Sequence, residues 1–212
     1  MYLGIDLGTS GVKACLLDPE LGLMASADAA LSLQQPREGW SEQAPQAWWK
    51  AVEQALQHLR AQAPAAWGHV RALGLSGQMH GAVLLDAQDR VLRPAILWND
   101  GRSEAECAEL EALAPDLHTV AGNLAMPGFT APKLLWLRRH EPALFERTRR
   151  VLLPKDWLRL QMTGEAVSEM SDASGTLWLD VGRRCWSEPL LAACGLGLSH
   201  MPRLVEGDQV SG

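Results

Sequence analysis

Two short, mostly apolar runs, Leu3–Leu7 and Val12–Leu17, flank the polar turn Gly8-Thr9-Ser10-Gly11 near the start of the chain. Each has the length of a buried strand, so Leu3–Asp18 is expected to be a hairpin with polar chemistry at its tip. Past a turn at Gly22, small and polar residues alternate through Leu23–Leu33, a third expected extended segment. Pro36–Gln43 is polar and punctuated, which reads as a loop. Pro45 suits the first position of a helix, and Trp48, Val52, Ala55, Leu56 and Leu59 recur at helical spacing. A core-facing helix from Gln46 to Ala61 is expected. The adjacent Trp48 and Trp49 cannot both lie on its buried stripe.

Further on, Val70–Leu75 and Ala82–Leu85 read as strands on either side of Ser76-Gly77-Gln78-Met79-His80-Gly81, and Asp86–Arg90 as a turn. Val91–Trp98 returns through Pro94, which restricts it to an edge or irregular strand. The apolar stretch ending at Trp98 then changes abruptly to Asn99-Asp100-Gly101-Arg102 before a helix expected over Ser103–Leu113. Ala121–Phe129 reads as a loop, Ala131–Arg139 as a helix with Leu134, Leu135 and Trp136 inside, and Glu141–Arg150 as a shorter helix. A strand at Val151–Leu153 and a helix over Asp156–Met162, stopped at Gly164, follow. Met170–Gly175 reads as a hydroxyl-rich turn, and Ser187 as the cap of a last helix reaching Cys194. There is no internal repeat and no low-complexity segment.

With 212 residues and 47% hydrophobic content, the chain can bury one sizeable α/β core or one and a half small ones, and a single domain over 1–212 is the default. A net charge of −6, with no basic cluster beyond Arg147, Arg149 and Arg150, argues against nucleic acid as a partner. No apolar run approaches a membrane span, so no membrane partner is expected. The first strand begins without a charged leader or cleavage site. Cys15, Cys107, Cys185 and Cys194 have neither the close spacing of a zinc or redox site nor the density of a secreted scaffold. They read as reduced core or surface thiols of a cytoplasmic protein. Nine tryptophans against one tyrosine is the oddity; packing suits most of them, and the wall of a polyol pocket is the alternative use.

Candidate chemistry sits at the turns. Taken alone, Gly8-Thr9-Ser10-Gly11 is an ordinary hairpin tip. Beside Asp6 and Lys13 it acquires the parts of a phosphate loop: glycines that permit positive φ and converging N–H groups, two hydroxyls, a cation, and a carboxylate able to hold Mg²⁺ through water. The better-known phosphate loops do not fit, because one needs a different Gly-to-Lys spacing and the other a helix where Val12–Leu17 continues as strand. Met79 and His80, between glycines at a strand junction, are expected to face a cleft, and His80 reads equally well as a structural or surface histidine or as a ligand contact. Trp98 beside Asn99, Asp100 and Arg102 reads equally well as a strand end with a cap or as a set of groups for a polyhydroxyl ligand.

The loop around Asp6 resembles the first phosphate loop of the ATPase superfamily that contains actin, the heat-shock chaperones and the sugar kinases. Six motifs narrow that resemblance: Gly4–Lys13, Trp40-Ser41-Glu42-Gln43, Gly74–Gly81, Arg93–Asp100, Gly128–Leu134 and Leu153–Leu158. Together they resemble, in order and over essentially all 212 residues, the amino-terminal domain of the FGGY carbohydrate kinases, and within that family the xylulokinase branch. Glycerol-specific members carry an arginine and a glutamate after the glutamine, where this chain has Met79 and His80. They also carry a tyrosine where this chain has Gly128.

The resemblance implies an α/β fold of the ribonuclease-H-like (actin/hexokinase-type ATPase) class, a mixed sheet with flanking helices. It implies ATP and Mg²⁺, with Asp6 as the catalytic and metal-supporting residue and Gly8, Thr9, Ser10 and Lys13 on phosphate. Met79, His80, Trp98 and Asp100 would bind the sugar: His80 by a hydrogen bond to a hydroxyl, Met79 by apolar contact, Trp98 by its ring against the carbon skeleton. The general base and the adenine pocket are expected beyond Gly212, in a second domain; Asp208 reads as part of an exposed turn before the base. The expected activity is transfer of the ATP γ-phosphate to a ketopentose, foremost D-xylulose, giving D-xylulose 5-phosphate, in a protein that is usually a homodimer in this family. Ribulose or gluconate phosphorylation and a catalytically silent sugar-binding module stay open as alternatives.

Overall fold

The computed structural model describes residues 1–212. Its first elements are β1 (Tyr2–Leu7), β2 (Gly11–Asp18), β3 (Gly22–Ala30), β4 (Glu42–Gln43) and α1 (Pro45–Gln62). Next come α2 (Pro64–Trp67), β5 (Ala72–Gly77), β6 (Val83–Leu85), β7 (Ala95–Ile96) and α3 (Glu104–Leu113). Then follow α4 (Leu117–Ala121), α5 (Thr130–His140), α6 (Pro142–Arg147), β8 (Arg150–Leu152), α7 (Pro154–Thr163), β9 (Val167–Glu169) and α8 (Met170–Ser174). The last are β10 (Leu179–Asp180), β11 (Cys185–Trp186), α9 (Glu188–Ala193) and β12 (Arg203–Val205). They gather into two compact units, one made of Met1–Leu33 and Ala44–Gln78, the other of Gln34–Gln43 and Met79–Gly212.

The first unit is built on a mixed sheet in the order β3-β2-β1-β5, antiparallel across the first three strands and parallel between β1 and β5. Alternation along the strands buries Leu3, Ile5 and Leu7 of β1 and Val12, Ala14 and Leu16 of β2. Helix α1, with Pro45 in its first turn, packs on β2 and β3 through Trp48, Ala51, Val52, Ala55 and Leu59. Leu56 is only half-buried, and Trp49 turns outward to donate its indole N–H to Glu53 at 3.0 Å. On the opposite face Tyr2, Asp6, Lys13 and Leu17 are exposed and Cys15 is half-buried, and the register sets Asp6 directly across from Lys13.

The second unit holds its own core, in which Leu84, Ile96, Leu110, Leu134, Leu137 and Trp178 are closed off from solvent. Short ladders order it: β4 against β7, β6 against β8, β9 parallel to β12, and β10 against β11. The pairing Glu42↔Ile96 is what brings residues 34–43 into this unit. Met170–Gly175 departs from the expected turn: residues Met170–Ser174 form one turn of helix. The cause is Glu169, whose carboxylate accepts the N–H groups of Ser171 (2.8 Å) and Asp172 (2.7 Å) and so caps the first turn.

Candidate functional site

In the first unit, the tip of the β1–β2 hairpin is closed by the Gly8 N–H donating to the Gly11 carbonyl at 2.9 Å, while the Ser10 carbonyl accepts from Leu31 at 2.9 Å. Gln78, at the end of β5, lies beside the tip: its N–H donates to the Leu7 carbonyl at 2.7 Å and its side-chain oxygen accepts from the Thr9 hydroxyl at 3.2 Å. Neither Gly8 nor Gly11 has the positive φ expected of it. Their glycine requirement is spatial, since a Cβ on Gly11 would stand 2.8 Å from the Ala29 carbonyl oxygen and one on Gly8 3.1 Å from that of Gly11. Asp6 lies in register between Lys13 on β2 and Ser76 on β5. Asp6, Ser10 and Lys13 are exposed, Gly8 and Thr9 half-buried. The tip of the β1–β2 hairpin thus gathers Gly8, Thr9, Ser10 and Lys13, the four residues that the sequence marked for phosphate, with Asp6, marked for the metal.

In the second unit, Met79-His80-Gly81 is a three-residue turn closed by the Gly81 N–H on the Met79 carbonyl at 2.8 Å, with His80 at φ 64°. That is a left-handed conformation that a non-glycine residue adopts only under constraint from its surroundings. The constraints are visible. The His80 carbonyl accepts from Thr130 Oγ1 at 3.1 Å and from Lys133 Nζ at 2.9 Å. The ring leans on Phe129, with centroids 4.4 Å apart, and its Nδ1 lies 2.8 Å from the Gly175 carbonyl oxygen. A carbonyl only accepts, so Nδ1 carries the proton. Burial holds the imidazole below its ordinary pKa, the Gly175 contact opposing this and Lys133 adding to it. The ring is therefore neutral at pH 7, which leaves Nε2 as a lone-pair acceptor suited to a hydroxyl donor.

Met79 and Trp98 are the exposed apolar side chains of this region, 46% and 44% accessible. Gly128 backs onto Trp98 so closely that a Cβ would come 2.7 Å from the Trp98 carbonyl oxygen. Asp100 departs from expectation, because it is 2% exposed and its carboxylate is engaged with protein on both oxygens. It accepts the Ser41 N–H at 2.6 Å, the Arg102 N–H at 2.9 Å and the Arg102 guanidinium at 2.9 and 2.7 Å. Arg102 also pairs with Glu42 at 2.7 Å and stacks 3.6 Å from the Trp40 centroid. Asp100 therefore locks the Trp98 segment to the Trp40–Gln43 segment rather than standing open as a sugar contact.

Two elements of the region carried no site assignment from sequence. The first is Lys133, fully buried in the first turn of α5, whose ammonium donates to the carbonyls of His80 and Gly128 (2.7 Å). Burial drops its pKa to about 7, Asp100 opposing and Arg102 reinforcing the shift. A single lysine within Ala131–Leu137, otherwise apolar but for its neighbours' backbone, was the signal. The second is the platform beneath Gly175. Lys155 pairs with Asp156 at 2.6 Å and Asp172 at 3.2 Å, tying α7 to α8, the helix that ends at Gly175. Burial raises the pKa of Asp172 to about 6 and raises that of Asp156 as well; the two carboxylates outweigh burial at Lys155 and raise its pKa.

A profile of the amino-terminal domain of the FGGY family of carbohydrate kinases matches residues 1–212. Xylulose kinase of Escherichia coli (strain K12) is 56% identical over 212 residues, covering 100% of this chain and 43% of that protein. Xylulose kinase of Klebsiella pneumoniae is also 56% identical, over 100% of this chain and 44% of its own length. Among solved structures, a "xyloylose kinase" from Brucella ovis superposes with a TM-score of 0.97 at 55% identity, covering 100% of this chain and 44% of that one. The chain thus spans less than half the length of the curated relatives it matches. The structural match extends over the mixed sheet and its flanking helices, the ribonuclease-H-like arrangement expected from the hairpin.

Proposed function

The chain belongs to the FGGY family of carbohydrate kinases, matching its amino-terminal domain from end to end, and on that premise we propose that it supplies the sugar-binding and first phosphate-loop half of an ATP-dependent xylulose kinase. The observation that carries the choice of sugar is the Met79-His80 turn: a strained, neutral histidine with Nε2 as acceptor, next to an exposed methionine. His80 accepts a hydrogen bond from a sugar hydroxyl, Met79 offers apolar contact, and Trp98 offers an exposed ring to the carbon chain. The relatives at 56% identity are xylulose kinases, which agrees with that pocket.

In the phosphate loop, Thr9, Ser10, Lys13 and the backbone of Gly8 bind phosphate oxygens, and Asp6 supports the metal. Asp6 is an exposed carboxylate, a hard oxygen donor of the kind that suits Mg²⁺ arriving on phosphate with its waters. Bound there, Mg²⁺ would offset charge on the phosphates during transfer. The base that takes the hydroxyl proton and the adenine pocket are assigned outside these residues. Asp208, exposed near the last turn, is given neither role. A cytoplasmic homodimer is part of the same proposal, and the four free thiols accord with a reducing compartment. Separately, no helix is long and apolar enough to cross a membrane.

Titration of D-xylulose against the natural full-length protein, followed by tryptophan fluorescence, tests the pocket. Losing the His80 acceptor strands a hydroxyl donor, so His80→Ala weakens binding by about tenfold or more. Equal affinity in the two proteins would remove His80 from the sugar site.

A further inference from the structure

Lys133 is hard to explain as a stabilising residue. Its ammonium is fully buried, and the acceptors it reaches are backbone carbonyls rather than a carboxylate at hydrogen-bond distance. Taking a lysine out of water without a paired charge is unfavourable, and a methionine would fill similar space without that penalty. The placement of its two acceptors suggests the use. One is the carbonyl of His80, the residue at φ 64°, and the other is the carbonyl of Gly128, which is packed against the Trp98 backbone. Thr130, one turn earlier on the same helix, donates to the same His80 carbonyl. A helix end thereby grips the peptide whose left-handed geometry aims the imidazole, and links it to the segment backing Trp98.

We propose that Lys133 is the positioning residue of the sugar pocket: its Nζ holds the His80 and Gly128 carbonyls together, so that His80 keeps its strained backbone and its ring stays on Gly175. This rests on the assignment of His80 to the sugar. The hold does not depend on the charge of Lys133, because the neutral amine still has two N–H donors for two carbonyls. It is a mechanical tie and not a pH switch, although burial brings the group's pKa to about 7.

The test is a double-mutant cycle on the natural full-length protein, reading KM and kcat for D-xylulose. Lys133→Met raises KM about tenfold while kcat falls less than about threefold, as expected when one hydrogen-bonded support of a binding group is lost. In a His80→Ala background the same change moves KM less than about twofold, since the residue it acts through is gone. Thr130→Val, nearly the same shape without the donor, raises KM by about threefold and carries the test if the lysine variant does not fold. An equal KM effect of Lys133→Met in both backgrounds, or a KM unmoved by both Lys133→Met and Thr130→Val, overturns the proposal while leaving His80 in the sugar site. A KM unmoved by His80→Ala alone overturns the sugar-site assignment and this proposal with it.

Discussion

Lys155→Met is expected to destabilise the protein by about 3–5 kcal/mol at pH 8, the loss typical when one partner of a buried ion pair is removed and the other charge is stranded. Here two carboxylates are stranded, Asp156 at 1% and Asp172 at 8% side-chain exposure. The loss also has a defined pH dependence. The folded-state pKa of Asp172 is about 6, above its ordinary value of 3.8. The folded state therefore takes up the proton first, and the group's contribution is fully present below 3.8 and lost as pH rises through about 6. Removing Lys155 takes away the charge that opposes this shift, so both carboxylates move higher. The difference between variant and parent in urea unfolding is then largest at pH 8 and shrinks toward pH 5. A difference under about 1 kcal/mol at pH 8, or one independent of pH, contradicts the assigned cluster.

Asp6→Asn is expected to lower kcat of the full-length protein by about 10²–10³, the range seen when one preorganised electrostatic contact to a reacting group is lost. The substitution keeps the shape of an exposed side chain on β1, so the fold has no reason to respond. The sugar KM stays within about threefold, because the substitution leaves Met79, His80 and Trp98 in place. Steady-state ADP release at saturating Mg²⁺ measures both. A kcat within about threefold of the parent removes Asp6 from the phosphate chemistry.

The elements that depend on neighbours in sequence were legible. The hairpin, the third strand and α1 follow from apolar runs, a Gly22 turn and a proline in the first turn, and the structure has them within a few residues of their expected bounds. Elements that depend on distant partners were not. Pro36–Gln43 read as a plain loop, because nothing local announces that Glu42 and Gln43 pair with Ile96 and Ala95. The single helical turn at Met170–Ser174 is decided by one carboxylate, Glu169, whose capping role a run of Ser, Asp and Ala does not reveal.

The site divides in the same way. The residues marked for phosphate fall together because they lie within a few positions of one hairpin turn. Asp100 and His80 look alike on paper, each a polar residue in the loop after an apolar strand. Asp100 is withdrawn by Ser41, fifty-nine positions away in sequence, and His80 is left with one ring nitrogen for a ligand. Lys133 is conspicuous as a lone lysine in an apolar stretch, but its part stayed hidden because its partners are main-chain carbonyls, which carry no sequence signature.

The most direct test is a competition among acceptors: the natural full-length protein with ATP and Mg²⁺, its kcat/KM compared for D-xylulose, D-ribulose, gluconate and glycerol by coupled ADP release. A site with His80 placed to pair with a hydroxyl rejects acceptors that leave it unpaired, so D-xylulose is expected to exceed glycerol by about 10²-fold or more and to lead the other two. Glycerol or gluconate in first place, or ADP release that no sugar stimulates, contradicts a xylulose kinase.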